Sequence, residues 1–203
     1  MMLPTHALAG MVLALPVTLL APELTVYALL AGFFGGIFPD LDLYNDHRKS
    51  LHYPVYYSLF GIVALLTAVV APTEVTVGLA VFLLAAGIHC LADTVGGGLE
   101  LRPWEATSNR AVYNHYSDRW IRPRRWIRYD GAPEDFLLSA SLGAVLVPLV
   151  GARFRLLVGT AVLIAALYTV VRRILPPIAS VIVGVIPTHL HPFLPDRYLE
   201  TRS

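Results

Sequence analysis

Charge is what this chain has least of. Lysine, arginine, aspartate and glutamate make up 14 % of its 203 residues, where a soluble domain carries about 25 %. Hydrophobic residues reach 56 % and the mean hydropathy is +0.64. That shortfall runs along most of the chain, so it argues for lipid as solvent and against an ordinary soluble domain. Cysteine is almost missing as well. Cys90 stands alone, which excludes an intramolecular disulfide and implies no oxidising compartment. Set in an apolar run, it reads as a small packing residue, with zinc thiolate ligation as its other use. The phosphate-cradling frame G-x-x-x-x-G-K-[ST] is absent, as are the G-x-S-x-G elbow of serine hydrolases and any internal repeat. Residues Met1 to His6 lack the positive start of a removable signal, so the first apolar run reads as a permanent helix.

What the chain does have is a series of apolar runs at a length that suits one compact unit over 1–203. Leu8 to Leu20 is broken only by Pro16, and Leu24 to Phe38 ends in the small residues Gly32, Gly35 and Gly36. Such glycines let membrane helices approach closely. Val55 to Ala71 and Val75 to Ala92 are joined by Pro72-Thr73-Glu74, a tight helical hairpin. Phe136 to Val150 and Leu156 to Val171 follow, and Ile174 to Ile186 is a seventh span or an interfacial segment. Residues 94–135 form a polar cap segment holding Trp104, Trp120 and Trp126, and 187–203 a polar tail. The spacing predicts an all-α polytopic transmembrane bundle of about six spans. Counting spans puts His6, the loop after the second run, and the His89/Asp93 pair on one membrane face. That face also collects most basic residues, Arg48, Lys49, Arg102 and the Arg119–Arg128 section among them, against Arg153 and Arg155 opposite. By the positive-inside rule the face is cytoplasmic, and the protein belongs in the inner (cytoplasmic) membrane.

On that face the chain gathers imidazoles and carboxylates. The stretch from Gly36 to Pro54 reads G-I-F-P-D-L-D-L-Y-N-D-H-R-K-S-L-H-Y-P. His89 and Asp93 are four apart, so a helix projects them from one side about a turn apart. Ionisable groups within membrane segments are costly and usually functional. Asp40 reads as a metal ligand, and Asp42 as a second ligand, an orienter of a histidine or a general base. His52, held just before the third helix, reads as a ligand, and so does His6, behind Thr5 as helix N-cap. His47 is a proton relay, a ligand or simply solvated. Arg48 and Lys49 suit an anionic substrate, their plainer role being the topology signal. His115 is a weaker candidate, and His189 and His191 lie in a surface tail. Oxygen and imidazole donors of this kind suit Zn²⁺, with Mn²⁺ as the alternative.

The ordered set P-T-H-A-L-A-G, G-x-F-P-D-L-D, H-R-K-S-L-H-Y-P and H-C-L-A-D resembles the YdjM-like family of inner-membrane metal-dependent hydrolases. Some of that family are described as LexA-binding. The resemblance covers roughly residues 3 to 140. The family is in turn distantly similar to the zinc-dependent phospholipase C and P1 nuclease superfamily of all-helical phosphodiesterases. The resemblance implies that Asp93 bridges two ions, one completed by Asp40, His52 and His89, the other by His6. The superfamily's second histidine pair has no clear counterpart here, which favours one or two ions over three.

The expectation is therefore a membrane-bound, metal-dependent phosphoesterase. Bound metal would activate water toward a lipid-linked or membrane-proximal phosphoester, with Asp42 or His47 moving the proton and arginines gathering the anion. Its partners would be membrane lipid and the phosphoester substrate, with no nucleic acid. The basic and aromatic Arg119–Arg128 section suits a headgroup layer better than a nucleic-acid patch. Two other classes compete: a metal-binding scaffold or regulatory protein without turnover, and a cation transporter. Acidic residues at helix ends rather than mid-span count against transport.

Overall fold

The structure, a computed structural model, describes residues 1–43, 46–194 and 199. It is mostly helical: α1 (Leu3–Leu13), α2 (Leu15–Leu20), α3 (Thr25–Ile37), α4 (Pro54–Val70), α5 (Glu74–Val95), α6 (Pro133–Leu149), α7 (Ala152–Val171) and α8 (Leu175–Val185). Among the described residues, four helical stretches are long and apolar enough to cross a membrane: Leu3–Leu20, Pro22–Asp42, Glu74–Val95 and Ala152–Val171. This is fewer than the expected six. Helix α4 is apolar but has 17 residues, and α6 opens on Glu134 and Asp135. Helix α8, with 11 residues, extends only about 16 Å at ~1.5 Å per residue, about half of a ~30 Å hydrocarbon core. Of the polar tail, Thr188–Phe193 forms a 3₁₀ turn, while 195–198 and 200–203 lie outside the described residues.

Pro16 divides the first stretch. It has no amide hydrogen to give the preceding turn and its ring crowds the carbonyl four residues back, so α1 and α2 meet at Ala14. The chain enters α1 at Leu3 with Pro4 in the first turn, a position where the missing amide costs nothing. Thr5 is thus inside the helix rather than its cap. Its hydroxyl donates to Asp135 Oδ1 at 2.7 Å. The same carboxylate accepts from the amides of Met2 (2.8 Å) and Gly131 (3.1 Å), which fastens α6 to the start of α1.

The core forms where α1, α3 and α5 pack together. Gly10 on α1 and Gly32 on α3 face each other so closely that a Cβ on either would strike the other's carbonyl oxygen. One turn further along, Gly36 meets the His6 carbonyl in the same way. These contacts bring the end of α3 and the start of α1 against the last turns of α5. A capping box of Thr73 and Thr76 starts α5, satisfying amides that the first turn leaves open. Helix α4 packs on the other side of α5, and its outward residues such as Leu66 and Val70 are exposed.

The cap is not wholly irregular, and it adds a short piece of strand to the mostly helical fold. Strands β1 (Val112–Asn114) and β2 (Arg119–Ile121) pair as an antiparallel ribbon, with Tyr113 opposite Trp120. The β-favouring residues Val112, Tyr113, Trp120 and Ile121 supply the strands, and Asp118, at φ +53°, turns the chain between them. The ribbon is docked onto the ligand-bearing loop: the Tyr113 amide donates to the Arg48 carbonyl at 3.0 Å.

Candidate metal centre

Three separate pieces of backbone converge at one end of the bundle. Helix α3 stops at Ile37 and runs into a 3₁₀ turn, Phe38–Asp42, where Pro39 can give no amide to a continuing helix. The tight turn presents Asp40 and Asp42. His52 precedes Tyr53, whose backbone (φ −121°, ψ 72°) lies outside the α region that a following proline disfavours. His89 and Asp93 stand one turn apart on the buried face of α5.

Asp40, His52, His89 and Asp93 each turn one ligand atom to a common centre, and these atoms all lie within 4.8 Å of one another. His89 Nε2 is 3.4 Å from Asp40 Oδ1 and 3.6 Å from Asp93 Oδ2. His52 Nε2 is 3.7 Å and 3.6 Å from the same two oxygens. These separations exceed good N–H···O distances, and both Nε2 atoms are buried without a hydrogen-bond partner among the described residues. Their other nitrogens are engaged. His89 Nδ1 donates to the Gly36 carbonyl at 2.6 Å, and His52 Nδ1 pairs with Asp42 Oδ2 at 2.9 Å. A carbonyl can only accept, so the His89 proton sits on Nδ1 and the Nε2 lone pair faces inward. The Asp42 carboxylate fixes His52 in the same tautomer. Ligands at about 2.0–2.2 Å from a tetrahedral ion stand about 3.3–3.6 Å apart, close to the N···O separations here. The four residues fit a divalent cation, and a buried group of this make-up could bind one.

The other expected site residues fall around this centre in distinct ways. Asp42 is buried and faces away from it. One oxygen takes His47 Nδ1 (2.9 Å) and the Arg48 amide (3.3 Å), the other His52 Nδ1 and the Leu51 amide (3.1 Å). With both oxygens occupied, Asp42 is placed to orient His52 rather than to act as ligand or base. His47 is partly accessible, and burial outweighs the pull of Asp42 to lower its pKa. His52 shows the opposite balance: burial disfavours its charged form, but Asp42 and Asp93 raise its pKa.

His6 lies just outside the group. It stacks on His89 with ring centroids 3.7 Å apart, and its Nε2 is 3.1 Å from Asp93 Oδ1. It meets the carboxylate oxygen opposite the one that faces the centre. The second ion implied by the resemblance, with His6 as ligand, therefore has no cluster of its own among the described residues. Lys49 also departs from its expected role. Its side chain is 40 % exposed, with the ammonium 3.4 Å from Asp46 and over the Tyr113 ring. His115 reaches the Lys49 carbonyl at 2.8 Å and supports the loop.

Arg48 turns inward. Its Nε lies 3.3 Å from Asp93 Oδ2 and its Nη1 donates to the Gly97 carbonyl at 2.9 Å. Burial works against its charge, but Asp93 and Asp40 raise its pKa nevertheless. Its backbone is left-handed, at φ +62°, a conformation that costs a non-glycine residue about 1–2 kcal/mol. Asp42 below and the ribbon above hold it there. Three supports were invisible to spacing: the Gly36 carbonyl under His89, the Tyr113 clamp, and the Arg48–Asp93 pair. A basic residue beside the candidate ligands signalled only the last.

Comparison with protein-family models, with curated proteins and with solved structures finds no match for this chain.

Proposed function

We propose that this protein is an integral-membrane, metal-dependent phosphoesterase of the YdjM-like type. One observation carries the proposal: two buried imidazole Nε2 atoms, each without a hydrogen-bond partner among the described residues, face two carboxylate oxygens at 3.4–3.7 Å. Unpaired buried polar atoms are rare and costly. Zn²⁺ suits two imidazoles and two carboxylates at tetrahedral spacing; Mn²⁺ is the alternative. Six spans in the inner membrane, formed by α1–α2, α3, α4, α5, α6 and α7, would set the centre at the cytoplasmic headgroup layer.

The metal, when bound, would lower the pKa of a water and polarise a phosphoryl oxygen. The chain's own groups supply the rest. Arg48, already beside Asp93, would bind a second phosphoryl oxygen. His47, held by Asp42 through Nδ1, would take the proton of the attacking water. The water oxygen bonds to phosphorus, the ester P–O bond breaks, and His47 returns the proton to the departing oxygen.

The test is metal analysis of protein purified without chelator, followed by phosphodiester and phosphomonoester assays with added Zn²⁺ or Mn²⁺. About one equivalent of metal and turnover that Asp93→Ala abolishes are expected. Stoichiometric metal without turnover would support the scaffold alternative, and activity surviving Asp93→Ala would refute the site assignment.

A further inference from the structure

Beside the centre lies a cavity of about 450 Å³, within the usual range of about 300–1,000 Å³ for small-molecule sites. Its walls have two characters. On the bundle side they are apolar: Ala7 from α1, Phe33 from α3, and Leu157, Ala161 and Ile164 from α7. The α7 residues, with Thr160, recur at helical spacing and make one stripe along that helix. Thr160 and Ile164 are exposed, so the cavity is open along its α7 edge.

At the cap end the walls are polar. Asp40 of the metal group, His47 and Arg48 line it, and so does Glu100. Both carboxylate oxygens of Glu100 are buried and find no hydrogen-bond partner among the described residues. A carboxylate offers acceptors only, so what it lacks is a donor. One continuous space thus runs from hydrocarbon walls, past the candidate ligands and Arg48, to an acceptor without a donor.

We infer that this cavity binds a single-chain amphiphilic phosphodiester, with its hydrocarbon chain along the α7 stripe, its phosphate between Asp40 and Arg48, and a headgroup bearing N–H or O–H donors at Glu100. The inference rests on the phosphoesterase proposal for the role of the phosphate, but occupation of the stripe by a chain stands independently. The volume suits one chain better than two. Glu100 selects against headgroups without donors, because an incoming trimethylammonium would leave its oxygens unpaired.

The probe is a hexadecyl phosphoethanolamine with a diazirine at the chain end, offered to the full-length protein in phosphatidylcholine nanodiscs. Crosslinks are mapped by mass spectrometry. Labelling is expected on the stripe from Leu157 to Ile164 and to fall at least tenfold in Thr160→Trp or Ile164→Trp, with metal content unchanged. The phosphoglycerol ester should label as well as the phosphoethanolamine ester, and the phosphocholine ester at least fivefold less. Glu100→Ala should close that gap. Labels spread equally over outward residues such as Leu66 and Val70, or insensitive to both tryptophans, would overturn the chain site. Headgroup preference unchanged in Glu100→Ala would overturn the Glu100 assignment. Stripe labelling without hydrolysis of the unlabelled ester refutes the phosphoesterase proposal and leaves the chain site standing. Turnover of water-soluble diesters combined with stripe-independent labelling does the reverse.

Discussion

Asp42→Asn is the sharpest test of how the centre is held. Asp42 touches no inward-facing ligand atom, yet it fixes His52 through Nδ1 at 2.9 Å while accepting from His47, Arg48 and Leu51. An amide keeps one oxygen and turns a donor toward groups that are themselves donors, and it leaves the imidazole less basic. Loss of such a supporting group typically weakens metal binding 10- to 100-fold, about 1.4–2.7 kcal/mol. At free Zn²⁺ of 100 times the wild-type Kd, metal stabilises the native protein by about 2.7 kcal/mol. The variant would retain about 1.4 kcal/mol of that at a tenfold loss and about 0.4 kcal/mol at a hundredfold loss. Chelator-competition titration gives the affinity, and thermal unfolding with and without Zn²⁺ gives the stabilisation. Because Asp42 acts through His52, adding Asp42→Asn to His52→Ala should weaken binding little further. Losses that simply add across the pair, or an Asp42→Asn protein with wild-type affinity, would refute the orienting role.

On the proposed reaction, Arg48→Met should lower turnover about 10²–10³-fold, as removal of a group that stabilises developing charge does, with metal content unchanged. Loss of the metal itself would place Arg48 in site assembly instead. Lys49→Ala should leave turnover within about twofold, its side chain being exposed and its ammonium paired with the exposed Asp46, a kind of pair that contributes little. Gly32→Ala should destabilise the protein by about 1–3 kcal/mol by overpacking, since its Cβ would strike the Gly10 carbonyl; Gly159→Ala, which meets nothing within 4 Å, should not, and a melting comparison decides.

Periodicity and span counting carry information about which residues share a helix face and which end of the bundle they occupy. His89 and Asp93 need only the i,i+4 rule, and Asp40 and His52 flank a loop that must return to the same side. Tertiary contacts are another matter. Nothing local says that Gly36 offers His89 its carbonyl, because that depends on how closely α1, α3 and α5 approach. Nor does a basic loop residue announce whether it turns inward, as Arg48 does, or outward like its neighbour Lys49. Here the choice follows from backbone: left-handed φ at Arg48 and the Tyr113 amide on its carbonyl reverse the directions of consecutive side chains. The ribbon that supplies the amide lies in a segment rich in arginine and tryptophan, where composition masks short strands.

A chain so poor in charge nevertheless buries His6, Asp42, Arg48, His52, His89, Asp93 and Asp135, and how each is satisfied separates scaffold from site. Asp135 accepts from Thr5, Met2 and Gly131 and links α6 to α1. Asp42 accepts four donors and shapes the loop. Asp93 is divided: Oδ1 meets the Met1 amino group and His6, while Oδ2 faces His52, His89 and Arg48. Among the described residues, it is at that last oxygen and Asp40 that two carboxylates meet two buried imidazole Nε2 atoms without hydrogen-bond partners. Groups of this kind repel or go unpaired when left alone in a low dielectric. A divalent cation would offset both costs, so metal binding and the folding of this end of the bundle should be coupled. Arg48, its Nε 3.3 Å from Asp93 Oδ2, would then add a positive charge beside the cation rather than in its place, and in the proposed reaction that charge would meet the phosphate.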